Sequence, residues 1–290
     1  MDWRAIGMGL AFALIWSSAF SSARIIVADA SPLASLAVRF FLSGLIGVAI
    51  ARALGQSWTM TTGQWRAVII FGVCQNAIYL GLNFVAMQWV EAGFASIIAS
   101  TMPLMVAFAT WVILRERLPA LGILGLLLGF LGVVLIMQAR LSAGVDVFGT
   151  VLCIIGATAL STATLMMRGA SSGGNLMMIV GLQMFIGSAV LAFASLLIED
   201  WYVSFSPAWI IAFAYTTLVP GLLATWIWFA LVARIGAIKA ATFHFLNPFF
   251  GVAIAALLLG ESLSIRDVIG VAIITIGILA VQLSRVQKPS

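Results

Sequence analysis

The chain has 290 residues, 63% of them apolar and 8% charged, with 14 Lys and Arg against 9 Asp and Glu. Soluble proteins devote about a quarter of their residues to charge, so this chain lacks the groups that would keep a soluble surface in water; a cytosolic enzyme, a nucleic-acid binder and a disordered chain are excluded. The cations stand singly between apolar runs, so the net charge of +5 reads as membrane topology rather than affinity for nucleic acid.

A hydrocarbon core about 30 Å thick takes about 20 helical residues to cross. Ten runs have that length, at 6–28, 32–53, 64–87, 92–114, 118–138, 147–167, 175–198, 207–232, 237–259 and 265–284. The first follows a short charged start and is rich in small residues at 18–23, but its length and its place in the repeat described below make it a retained span rather than a cleaved signal. Short connections such as Ser171 to Gly174 and Ser204 to Pro207 leave no room for a soluble domain. Cys74 and Cys153 both lie inside apolar runs, where a thiol packs as a small apolar group.

Trp16 stands at the middle of the first span, where an indole has no interface to reach, so it either packs or lines a pathway. Seven other tryptophans, Trp3, Trp58, Trp65, Trp89, Trp111, Trp201 and Trp209, sit near span ends as an interfacial belt, while Trp226 and Trp228 lie deeper in the eighth span. Arg39 is shallow enough in the second span to snorkel or to bond a neighbouring helix end, with binding of a substrate carboxylate as the alternative. In the third span Asn76, Tyr79 and Asn83 form a polar stripe at α-helical spacing, and Ser96 and Ser100 form another with Pro103 in the fourth. Each stripe suits interhelical hydrogen bonding or the polar lining of a cavity. Glu116 and Glu261 open the fifth and tenth spans, where a carboxylate suits the helix dipole. Gly122, Gly125, Gly129 and Gly132 share one face of the fifth.

His244, the only histidine, lies one turn before Pro248 with Asn247 beside it. It reads either as a buried structural imidazole or as a substrate-binding or proton-carrying group. Pro103 and Pro248, each central in its span, remove an N–H and so free the carbonyls of Ala99 and His244; they are the candidates for helix bending.

Placing both termini in the cytoplasm puts ten cations on that side, among them Arg52, Arg66, Arg115, Arg117 and Arg234, and leaves three, Arg24, Arg140 and Arg266, outside. A shift of 145 residues superposes Pro103 on Pro248, Glu116 on Glu261, Gly125 on Gly270 and Gly132 on Gly277. The repeats are therefore 1–145 and 146–290. Five spans per repeat is an odd number, so the second must be inverted relative to the first, a pattern of secondary transporters that bind solute near the bilayer midplane.

These residues resemble the EamA-type members of the drug/metabolite transporter superfamily over essentially the whole chain. The likeness rests on Trp16-Ser17-Ser18-Ala19-Phe20, on Arg39-Phe40 after Ser31-Pro32, on Glu91-Ala92-Gly93-Phe94-Ala95 leading to Met102-Pro103-Leu104, and on Arg115-Glu116-Arg117-Leu118. In the second half it rests on Arg234-Ile235-Gly236-Ala237, Asn247-Pro248-Phe249 and Leu259-Gly260-Glu261-Ser262-Leu263, with Gly270 and Gly277. The resemblance implies an all-α membrane protein of ten transmembrane helices in two inverted five-helix repeats. It also implies cytoplasmic termini and export of amino acids or similar small metabolites across a prokaryotic inner membrane, the aromatic-amino-acid exporters being the branch nearest in character.

The sequence has no Walker A motif, metal-ligand cluster or nucleophile–base arrangement, so no cofactor or metal is expected. The expected partners are a small-molecule substrate and membrane lipid, with a monomer enclosing its own pathway. Trp16, Tyr79, Asn83, Ser100, His244 and Asn247 are expected to line that pathway, with Pro103 and Pro248 bending in alternating access. Apolar zwitterions, aromatic or branched, are the first expectation for the solute. Flux is expected to run down the solute's own gradient, since every acid lies at or near a span end. A membrane-embedded enzyme or lipid-handling protein is the rival from another class. A carrier of phosphate-bearing solutes would want more than one deep cation.

Overall fold

The computed structural model describes residues 2–113, 115–166, 174–236 and 240–286. Met1, Leu114, Met167, Ser171, Lys239 and Ser290, on which expectations about span ends, connections or topology fall, lie outside them. Among the described residues ten helices are long and apolar enough to cross a membrane. These are α1 (Trp3–Asp29), α2 (Pro32–Ala53), α3 (Thr62–Ala86), α4 (Ala92–Val112), α5 (Ala120–Arg140), α6 (Val147–Met166), α7 (Leu176–Ile198), α8 (Pro207–Val232), α9 (Thr242–Leu259) and α10 (Ile265–Ser284). The apolar runs predict this pattern because in lipid each backbone N–H must be satisfied within its own segment, and a helix does so.

The helices group into two compact units, neither of which is a sequence half. Unit 1 comprises Met1–Ser21, Trp89–Val151 and Leu223–Ser290; unit 2 comprises Ser22–Gln88 and Leu152–Leu222. The physical reason lies in which helices pack together. In unit 1, α5 packs on α10 and α4 on α9; in unit 2, α2 packs on α7. Each pair consists of helices related by the 145-residue shift, so a repeat finds its packing partner in the other repeat.

Capping bonds give the direction of two of these pairs. In unit 2, Glu199, just past α7, accepts from the Leu33 and Ala34 amides at the start of α2, at 2.8 and 2.9 Å. Gln56, just past α2, accepts from the Met178 amide at the start of α7, at 2.9 Å. The end of each helix meets the start of the other, so α2 and α7 are antiparallel, as inverted repeats require.

In unit 1, Glu261 accepts from the Ala92 and Gly93 amides at 2.7 and 2.9 Å. It therefore caps the start of α4 and not that of α10, which it precedes. The sequence reading paired this carboxylate with the nearest helix in the chain, whereas the antiparallel α9 carries it to the free N–H groups of α4. The start of α10 is capped instead by Ser264 and Asp267, which exchange hydrogen bonds. Replacing Glu261 by Ala leaves two amides without acceptor and is expected to lower unfolding free energy by about 3 kcal/mol, since bonds to a charged group contribute roughly 1.5–3 kcal/mol each. Denaturant unfolding in detergent measures it, and an unchanged midpoint would contradict the cap.

The glycine face of α5 meets α10 with the same two-fold logic. A Cβ on Gly125 would lie 2.7 Å from the Gly277 carbonyl oxygen, and one on Gly132 would lie 2.9 Å from that of Gly270. Gly125 is the repeat equivalent of Gly270, and Gly132 of Gly277, so the contacts exchange under the inversion. Small residues let these backbones approach closely. At the α10 start, Arg140 joins Glu91 at 2.5 Å and Asp267 at 3.0 Å, tying α4, α5 and α10. At the other end of unit 1, Arg234 bonds Asp2 at 2.6 Å and holds that carboxyl below its ordinary value.

Among the described residues two helices contain π-helical turns: α3 over Phe71–Leu80 and α8 over Val219–Leu223. The shift of 145 residues lays the second within the first. In α8 the turn contains Pro220, whose missing N–H disrupts the α-helical ladder. Such turns recur at functional sites.

Candidate functional site

The proline helices are interrupted rather than gently bent. In α4 the helix stops at Ser100 and restarts at Met102; in α9 a 3-10 turn, Thr242–Leu246, gives way to α-helix at Asn247. Pro103 and Pro248 occupy the first turn of each restarted helix, where no N–H is needed. The sequence expected Ala99 and His244 to have free carbonyls, but backbone N–H groups at the two junctions donate to both. One tighter turn restores the bonds that proline removes.

The α9 junction sets His244 among aromatic rings in unit 1. Its ring centroid lies 5.0 Å from Trp228, 5.4 Å from Phe12 and 6.3 Å from Trp16, and Phe12 lies 4.8 Å from Trp228. Gly9 lets the Phe243 ring pack directly on α1: a Cβ there would fall 2.3 Å from that ring. The His244 Nδ1 is buried with no hydrogen-bond partner among the described residues, as are both amide atoms of Asn247, which is 1% exposed. Ser17 Oγ donates to the Asn247 carbonyl at 3.2 Å and fixes the backbone there. Leaving a buried polar atom unpaired costs about 1–3 kcal/mol, so such atoms call for a partner from water or a bound solute.

Sequence reasoning placed Trp16, Ser100, His244 and Asn247 on the pathway, and all four belong to unit 1. Trp16 and His244 are brought together. Ser100 is buried in α4 and donates back to the Ser96 carbonyl at 2.7 Å. Ser96 Oγ itself lies where a Cβ on Gly251 would stand, so α4 and α9 touch there. Phe12 and Trp228 were missed. The signal for Phe12 is the aromatic stripe Phe12, Trp16, Phe20 at i, i+4, i+8 on α1. Trp228 differs from Trp226 in exposure, since Trp226 is 58% exposed and Trp228 packs on Phe12.

Tyr79 and Asn83 belong to unit 2. The π-helical winding around them breaks the α-helical stripe that spacing suggested. Asn76 Nδ2 turns to the Gln183 carbonyl of α7, at 3.1 Å, while Asn83 Nδ2 donates to the Tyr79 carbonyl at 2.8 Å beside Gly156 of α6. The Tyr79 hydroxyl and Asn83 Oδ1 are buried without partners among the described residues. A groove of about 400 Å³ near the start of α2, walled by residues including Ala34, Ala37, Ala192, Trp201 and Phe205, contains none of the expected pathway residues.

A model of the EamA-like transporter family matches residues 3–138 and 147–283, once per repeat. The chain is 24% identical to the uncharacterized transporter YvbV of Bacillus subtilis over 96% of its length and 92% of that protein. It is 25% identical to an uncharacterized transporter of Archaeoglobus fulgidus, over 96% of this chain and 98% of the other. With the uncharacterized inner membrane transporter YedA of Escherichia coli it shares 24% identity over 97% and 92%. A crystal structure of 19% identity superposes with a TM-score of 0.69 over 98% of both chains, showing the same fold.

Proposed function

The chain belongs to the EamA-like transporter family, and from that premise we propose that it exports amino acids with apolar side chains, aromatic ones first, by alternating access. It is a membrane transporter of small solutes and not an enzyme; the prokaryotic inner membrane is the location its relatives support. The solute assignment is carried by one observation: rings of Phe12, Trp16 and Trp228 pack around His244, three residues before Asn247, whose buried amide has no partner among the described residues. Aromatic faces attract an apolar or aromatic body, while amide and imidazole atoms lacking partners accept or donate to an ammonium or carboxylate. Within unit 2, Tyr79 and Asn83 are candidates for solute contact on the strength of their own atoms unpaired among the described residues, and within unit 1 Ser100 is one through its place beside the Pro103 interruption.

The acids argue against obligatory proton coupling. Asp29, Glu91, Asp146, Glu199, Glu261 and Asp267 all cap helices or bond side chains at helix ends, and none is left inside a span to carry a proton. In proteoliposomes containing this protein alone, phenylalanine flux should persist with no pH gradient and no membrane potential, and sugar phosphates should not compete. Competition by sugar phosphates in place of amino acids would overturn the solute class; accumulation driven by an imposed proton gradient would overturn uncoupled transport. The cation distribution favours cytoplasmic termini, so a cysteine at Asp146 should react with an impermeant thiol reagent in intact cells.

A further inference from the structure

Arg39 lies seven residues after Pro32 opens α2, about 10 Å along the helix. It does not snorkel: the residue is 5% exposed, and its guanidinium lies over the Phe40 ring at 5.0 Å. A buried cation is ordinarily paired with a carboxylate. Among the described residues, however, no ion pair reaches Arg39, and two of the three acids of unit 2 serve elsewhere: Asp29 bonds Ser206, and Glu199 caps α2. Arg39 Nε is buried and has no partner among the described residues.

The guanidinium points at the π-helical turn of α8. Its Nη2 and the Ser43 hydroxyl would both lie 3.5 Å from a Cβ on Gly221, and the Thr216 carbonyl oxygen would lie 3.2 Å from it. Pro220 removes the N–H that an α-helix would direct to that carbonyl. Thr217 lies alongside, its carbonyl accepting from Ser43 Oγ at 3.4 Å. Ser43, Thr216 and Thr217 are all buried. The surroundings thus combine a desolvated guanidinium, an unpaired donor on it, hydroxyl groups, and a wall whose backbone departs from the α-helical pattern without a side chain at Gly221.

We propose that Arg39, at the π-helical turn of α8, is a carboxylate-binding residue that engages the acid group of the transported solute. Guanidinium suits the task because its planar fork of donors matches the two oxygens of a carboxylate. The proposal rests on the transport reading for the nature of its ligand, but the binding element itself does not depend on which carboxylic acid is carried.

Two measurements separate these dependences. The first is thermal unfolding of purified protein with benzoate or benzamide, probes that differ in the charged carboxylate. Wild type should melt higher in benzoate than in benzamide, and Arg39→Gln should lose that difference. Arg39→Lys should retain part of it, because the charge stays and the fork goes. The second is proteoliposome flux: Arg39→Gln should reduce phenylalanine flux about tenfold or more while leaving phenylalaninamide flux within a factor of two. Equal loss of both fluxes, or a benzoate effect that survives Arg39→Gln, would show Arg39 to be structural and overturn the proposal. Stabilisation by inorganic phosphate in place of benzoate would overturn the carboxylate assignment. Benzoate stabilisation that depends on Arg39, in a wild type that moves no phenylalanine, would uphold the binding element and reject the amino-acid reading alone.

Discussion

Gly277→Ala should lower the unfolding free energy by about 3 kcal/mol, at the upper end of what overpacking usually costs. A Cβ at Gly277 would stand 2.6 Å from the Gly129 backbone nitrogen, 2.7 Å from the Gly125 oxygen and 2.8 Å from the Gly129 Cα. All three are backbone atoms, so no side-chain rotation relieves the contact and α10 must move away from α5. Gly125→Ala meets the Gly277 oxygen at 2.7 Å and the Val281 nitrogen at 2.8 Å and should behave alike. Gly7→Ala is the control, for it lies in α1 with nothing within 4 Å of its Cβ position and should be neutral or gain up to about 1 kcal/mol from helix propensity. Denaturation in detergent compares the three. If Gly277→Ala unfolds with wild type, the close α5–α10 approach is wrong.

The glycine pairs also mark how far the sequence could be read. The ten spans were legible because a run of about 20 uncharged apolar residues has few fates other than crossing a bilayer. The inversion was legible because an odd number of spans per repeat leaves no choice. Partner choice was not legible: Glu261 adjoins α10 in the chain yet serves α4 in space, and that assignment follows from α9 running antiparallel to α4. The same cause makes the compact units cut across the sequence halves.

The candidate site was legible in part, again for physical reasons. His244, Asn247 and Pro248 stood out because polar and helix-breaking residues are costly at membrane depth. Phe12 and Trp228 did not stand out, since an aromatic side chain in an apolar span costs nothing and so attracts no notice. The stripe of Asn76, Tyr79 and Asn83 failed as a single face because hydrophobic periodicity does not distinguish π-helical from α-helical winding over ten residues. Arg39 was visible as a charge, but its burial against α8 needed the fold.

Asn247→Leu should separate function from structure more sharply than any alanine variant, because stability and transport should move in opposite directions. Leucine is close to asparagine in size and removes both amide atoms, neither of which has a partner among the described residues. If the amide served packing, its loss would destabilise the protein. The unpaired atoms instead cost about 1–3 kcal/mol each while no solute is bound, so the variant should unfold no earlier than wild type and up to a few kcal/mol later. The Ser17 bond survives, since it goes to the backbone carbonyl of residue 247. Phenylalanine flux should fall about tenfold to a hundredfold, the loss expected when a solute's polar head gives up one or two buried hydrogen bonds. His244→Phe should share this signature, keeping a ring against Phe12 and Trp228 while removing Nδ1. A residue selected for binding rather than folding leaves such a trade-off between stability and activity. Lower stability with intact flux, in either variant, would assign these groups to packing and move the solute away from the α9 junction.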